Sequence, residues 1–296
     1  MDGNQLFVSG YFAPNDDDGF VSLSRILIDT GYNGVLSFPS ANSEITRAWV
    51  SEEIGKQSHT NLGGLSWHWT GAGSALALGG VEISPIPFKV GSGAQALRVD
   101  WPLLGQLWFD LMDASWVDPE SGTVAVSFDS RAIRDAITVN PNDWIELPWQ
   151  KALPDSHRFI PIRLDHERYE AIIDTGSDAY LILLTHETPP LVNRPWGQGT
   201  FGGTQHTKYY RAKSAAPMYL GDIEINDIEL GWLKYPGNLT NEITTEHPVA
   251  VLGVPFLRKF PALLDHKQNK AWFYVGDRDN LESYKMPIHD PFTSGG

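Results

Sequence analysis

RILIDTG at residues 25–31 and EAIIDTG at residues 170–176 are two copies of one pattern, an apolar run that ends on Asp-Thr-Gly. The two aspartates, Asp29 and Asp174, stand 145 positions apart. At average composition one Asp-Thr-Gly is expected about 0.05 times in a chain of this length, so two behind matching apolar runs point to a duplication. Three further matches keep the same order at nearly constant spacing. GVEI at 80–83 is echoed by DIEI at 222–225, and LLG at 103–105 by VLG at 251–253. VD at 117–118 followed by VAV at 124–126 is echoed by LD at 264–265 followed by AWF at 271–273. The chain therefore divides into an N-terminal lobe over 1–140 and a C-terminal lobe over 155–285. A linker rich in turn residues is expected over 141–154, with a frayed tail over 286–296.

Composition sets the class. The chain has 296 residues, 42% of them apolar, enough for a substantial core or two. With 28 Gly and 20 Pro and few long helical patterns, a mostly β protein with many turns is expected. Runs such as 24–28, 158–164 and 169–173 read as short strands. One helix is expected in the first lobe, with caps at Ser40 to Ser43 and Ile45, Trp49 and Ile54 near one face. The formal net charge of −14 disfavours nucleic acid as a partner. There is no Cys, which excludes disulfides, thiolate catalysis and Cys-based metal sites. No run of 18 apolar residues occurs, so no membrane span is expected. The N-terminus does not read as a signal peptide, which leaves a cytoplasmic protein or a secreted one whose signal has been removed.

The repeated tripeptide carries chemistry. A carboxylate at the end of a buried apolar strand is costly unless it is used or paired. Gly31 and Gly176 allow a tight backbone turn, and the Thr30 and Thr175 hydroxyls can bond neighbouring backbone groups. Two such loops related by a local two-fold axis would bring their carboxylates face to face. Such a pair shares one proton, because one pKa falls as the other rises. A single Asp-Thr-Gly is more simply a surface turn; the duplication is what favours the paired reading.

On these residues the sequence resembles the aspartic proteases. The match is Ile28-Asp-Thr-Gly-Tyr-Asn-Gly34 with Ile173-Asp-Thr-Gly-Ser177, each lobe adding the family's apolar-apolar-Gly signature at 103–105 and 251–253. The layout covers nearly the whole chain, as two fused retropepsin-like subunits or a compact relative of pepsin. The resemblance implies a bilobal, pepsin- or retropepsin-like fold, each lobe a closed β-barrel with few helices. It implies catalytic Asp29 and Asp174, with Thr30 and Thr175 interlocked beneath them. A peptide or protein substrate would lie in the cleft between lobes of a monomer, with no metal or cofactor. In that family Ser or Thr follows the glycine and contacts the carboxylate. Ser177 fits and Tyr32 departs, which would leave Asp29 one hydrogen bond fewer and favour its protonated form. Family members close the cleft with a flap. The Gly- and aromatic-rich segments 61–70 and 199–210 are candidates, with Trp67, Trp69, Phe201 and Tyr209 facing substrate. Each of these aromatics could equally be a scattered residue on a plain hairpin.

Other motifs fail their context. GQGTFG at 197–202 matches G-x-G-x-x-G but follows no evident strand and opens no evident helix. His68, His166, His206 and His266 lack zinc-hydrolase spacing and read as surface or loop residues. Two further functions remain open beside an aspartic endopeptidase. One is an isomerase, cyclase or small-molecule hydrolase using the same carboxylate pair; the other is a binding protein that has lost catalysis.

Overall fold

The computed structural model describes residues 5–14, 19–39, 56–61, 64–91, 101–131, 135, 140–151, 157–185, 197–200, 208–234 and 248–281. The helix expected over residues 40–55 lies outside them. The protein is mostly β and forms two compact units. One comprises residues 6–108, 200–208 and 289–296; the other comprises 1–5, 109–199 and 209–288.

The first unit is built on a nine-stranded sheet. Its order is Lys56–Asn61, Gly64–Gly73, Ile86–Gly91, Leu36–Phe38, Leu103–Gly105, Val21–Asp29, Phe7–Ala13, Ala75–Leu78 and Val81–Ile83. The second unit carries a sheet of the same plan. It runs Gly197–Thr200, Lys208–Lys213, Glu229–Lys234, Leu181–Thr185, Val249–Leu252, Glu167–Ile173, Arg158–Leu164, Met218–Leu220 and Ile223–Ile225. A tenth strand, Gln150–Lys151, pairs with Arg158–Leu164. Strand for strand the two orders correspond, so the duplication legible in the motifs extends to the whole sheet topology. Both orders have free ends among the described residues, and the sheets curl as half-barrels. Among the described residues each lobe thus shows a curled half-barrel, the coarser form of the closed barrel expected from the sequence.

Burial explains why these segments are strands. Ile26, Leu27 and Ile28 are buried in succession, as are Ala171, Ile172 and Ile173. Strands covered on both faces lose the alternation of a half-exposed sheet. In the first unit Phe12, Phe38 and Phe88 pack with ring centroids 5.1 to 5.8 Å apart, an arrangement typical of aromatic cores.

A separate five-stranded sheet lies wholly within the second unit. Its order is Thr123–Ser127, Ala114–Asp118, Ala262–Asp265, Lys270–Tyr274 and Trp144–Pro148. Its register is symmetric. Trp116 pairs with Leu263, Ala114 with Asp265 and Val117 with Ala262. Asp118 pairs with Thr123 and Ser127 with Ala114, just as Asp265 pairs with Lys270. A displacement of 147 residues carries Trp116 to Leu263, Asp118 to Asp265 and Thr123 to Lys270, so the Trp116–Leu263 pair marks a local two-fold axis inside this sheet.

The sheet also redraws the sequence boundaries. Residues 109–140, assigned to the N-terminal lobe on sequence, belong with the unit that holds the C-terminal repeat. The segment expected as a linker supplies the strands Trp144–Pro148 and Gln150–Lys151. The cause is cross-strand pairing between Ala114–Asp118 and Ala262–Asp265, which outweighs proximity along the chain.

Candidate active site

Asp29 closes the strand Val21–Asp29, which runs parallel to Leu103–Gly105 with Ile28 opposite Leu104 and Asp29 opposite Gly105. Three apolar residues sink into the core just before it, and Asp29 itself is half-buried. The chain then turns sharply: Tyr32 N donates to Asp29 O at 3.0 Å and Gly34 N to Tyr32 O at 3.0 Å. Gln106 N also donates to Tyr32 O, at 2.8 Å, and Gly105 N to Val35 O at 2.9 Å. The loop is thereby sewn to the start of the helix Gln106–Phe109. A side chain at 105 is impossible without movement, because its Cβ would lie 2.5 Å from Tyr32 O and closer still to Gly34 O. This close approach is why the apolar-apolar-Gly signature ends in glycine.

The second loop repeats the arrangement in its own unit. Glu167–Ile173 runs parallel to Val249–Leu252 with Ile172 opposite Val251 and Ile173 opposite Leu252. Asp174 N donates to Leu252 O at 2.8 Å and Ser177 N to Asp174 O at 3.2 Å. Val254 N donates to Ser177 O at 3.0 Å and Gly253 N to Tyr180 O at 3.3 Å. A Cβ at 253 would lie 2.7 Å from Ser177 O and closer still to Ala179 O. The helix Val254–Lys259 follows at once, with a proline in its first turn. Gly176 N donates to Asp174 Oδ1 at 2.8 Å, which fixes the carboxylate against its own turn. Thr30 and Thr175 are buried, at 2% and 0% exposure.

The loops differ after the glycine. Tyr32 is buried and packs with Leu27, Leu103 and the half-buried Phe7. Lys89 Nζ stands 5.9 Å from its ring centroid. Burial pushes the Tyr32 hydroxyl well above its usual range; the Ser37 side chain opposes this and the Asp29 charge adds to it. Ser177 is instead half-buried, and its Oγ accepts from Ala179 N at 3.4 Å.

Of the expected flap segments, the first belongs to an antiparallel hairpin longer than the motif. Lys56–Asn61 pairs with Gly64–Gly73, Asn61 facing Gly64 and Lys56 facing Trp69. Trp67 and Trp69 both lie on the second of these strands. Tyr209 lies on the strand Lys208–Lys213, while Phe201 falls outside the described residues. Among the described residues no cluster of three potential metal ligands occurs, and no helix is long and apolar enough to cross a membrane.

His206 and the side chain of His68 lie outside what is described; of the other two expected surface histidines, one departs from expectation. His166 is exposed, as read, but His266 is buried at 5% exposure. It sits in a polar cluster with Asp110, Ser115 and Arg158 that no motif announced. No protein-family model matches the chain, and no curated protein matches it significantly.

Proposed function

We propose that the chain is an aspartic-type endopeptidase in which Asp29 and Asp174 act together on a peptide or protein substrate. What supports the reading is the equivalence of the two Asp-Thr-Gly loops, which share strand pairing, turn bonds and a glycine pressed against loop carbonyls. Independent surface turns have no reason to share all three. The reading requires the two carboxylates to share one proton. The ionised partner then takes a proton from water, whose oxygen attacks the amide carbonyl, while the protonated partner gives its proton to the carbonyl oxygen. Collapse of the tetrahedral centre breaks the C–N bond, and the leaving nitrogen takes up a proton. The pair titrates as a unit, so the roles belong to the dyad rather than to one residue.

Tyr32 favours a second reading, an acid–base enzyme acting on a small molecule. It places a bulky buried ring where the family carries a small hydroxyl residue. The experiment that separates the readings is a peptide-library digest by wild type beside Asp29→Asn and Asp174→Asn. Cleavage by wild type alone, blocked by a statine compound whose hydroxyl mimics the tetrahedral centre, is the expected result. A folded wild type that cleaves no peptide would overturn the endopeptidase reading.

A further inference from the structure

The turn between Ala262–Asp265 and Lys270–Tyr274 holds a buried polar array that this chemistry does not use. The His266 side chain is 1% exposed. Its Nε2 lies 2.9 Å from Ser115 Oγ and its Nδ1 3.4 Å from Asp110 Oδ1. The Trp149 ring meets it edge-on at 4.8 Å. Asp110 also takes Arg158 Nε at 2.9 Å and Lys151 Nζ at 2.5 Å. Arg158 donates in addition to the His266 carbonyl oxygen, at 3.3 Å, and to Asn269 Oδ1. The remaining charges are near at hand. Asp265, fully buried, accepts Gln268 N at 2.6 Å, while Lys267 pairs with Asp113 at 3.0 Å on the exposed side.

The order Ser–His–Asp is that of a hydrolase triad, but Ser115 is fully buried on a strand paired along both edges. No acyl group can reach it. The array can, however, respond to protons. Two carboxylates, Asp110 and Asp265, stand against two fixed cations, Arg158 and Lys151, and a neutral imidazole completes a balanced set. With its proton on Nδ1, His266 donates to Asp110 and accepts the Ser115 hydroxyl proton. A second ring proton makes Nε2 a donor, forces the Ser115 hydroxyl to turn round and buries an unmatched positive charge beside Arg158.

We propose that the His266 corner is a proton-sensitive brace, which ties the 265–270 turn to Ser115, Asp110 and Arg158 while the ring is neutral and loosens as the ring takes up a proton. The direction of titration agrees. Burial holds His266 below the ordinary histidine value, with Asp110 pulling the other way. The unfolded chain therefore binds the proton more readily. The stability contributed is complete above the unfolded value near 6.5 and is lost as pH falls below it. Asp110 adds a second, lower step. Burial pushes it up, but bonds from His266, Lys151 and Arg158 more than offset this and hold it well below the usual carboxylate range. Its contribution is complete above about pH 4 and is lost on further acidification. The brace thus sets an acid limit on the working range, whatever reaction the aspartates perform.

The test is urea unfolding of the full chain from pH 8 to pH 5, for wild type and His266→Asn, with nitrogen NMR of the His266 ring. The expected result is a wild-type midpoint that falls on acidification, a flatter profile for His266→Asn, and a ring that is Nδ1-protonated and neutral at pH 7 and titrates below the ordinary value. Equal pH slopes in the two proteins, or a charged ring at pH 7, overturn the proposal. If His266→Asn does not fold, the wild-type ring titration alone decides.

Discussion

At 29–32 the chain reads Asp-Thr-Gly-Tyr, and at 174–177 it reads Asp-Thr-Gly-Ser. The backbones of the two loops make matching bonds, yet the fourth residue is a buried ring in one and a half-buried hydroxyl in the other. The five-stranded sheet gives the same contrast. Displaced by 147 residues, Asp118 corresponds to Asp265 and Pro119 to His266. Both aspartates hold their own turn, through Ser121 N at 3.4 Å and Gln268 N at 2.6 Å. Asp118 adds an ion pair with Arg278 at 2.5 Å, whereas the second corner carries the His266 array. Backbone pairing constrains every strand at once and tolerates little change. A side chain needs only a locally satisfied environment, and after duplication each copy can find a different one.

The comparison is tested most severely by the aspartates. If the loops form one catalytic unit, Asp29→Asn and Asp174→Asn each lower peptide hydrolysis by at least about a hundredfold, the usual worth of acid–base catalysis. The double variant then falls little further, because residues acting as a unit are non-additive. Steady-state rates on one cleaved peptide check this; two small, multiplying losses would break the equivalence. Next is Tyr32. Emptying its site with Tyr32→Ser costs about 3 kcal/mol, the scale of large-to-small changes in cores, as urea unfolding would show.

The paired glycines sharpen the comparison, since Gly105→Ala and Gly253→Ala push a methyl group against loop carbonyls in the same way. Each is expected to cost about 1–3 kcal/mol by overpacking. Unequal costs in parallel urea curves would show that one loop yields more easily than the other. The smallest effect is Ser177→Ala, which removes one turn-stabilising bond at about 1 kcal/mol and is read from the same melts.

The two equivalent loops were legible because their signals are short. Asp29 and Asp174 follow apolar runs within a window of a few residues, and Gly105 and Gly253 follow apolar pairs. The departure at Tyr32 was equally visible. The boundary near 140 was not, because the strand Ala114–Asp118 is drawn to Ala262–Asp265 by pairing across about 150 residues. His266 was hidden for the same reason, its partners Ser115 and Asp110 lying 151 and 156 positions away. Neither residue has a neighbour in sequence that announces the bond.

By itself the sequence determined the duplication, the mostly β character and the two loops that present the aspartates, since each is encoded by local apolar pattern and turn chemistry. Only the tertiary structure decided that the strands of the two repeats join in one five-stranded sheet, that the described strands of each lobe curl into a half-barrel, and that His266 is buried. Those outcomes depend on distant strands competing for partners and on charges balancing in the interior, which no short stretch of chain specifies.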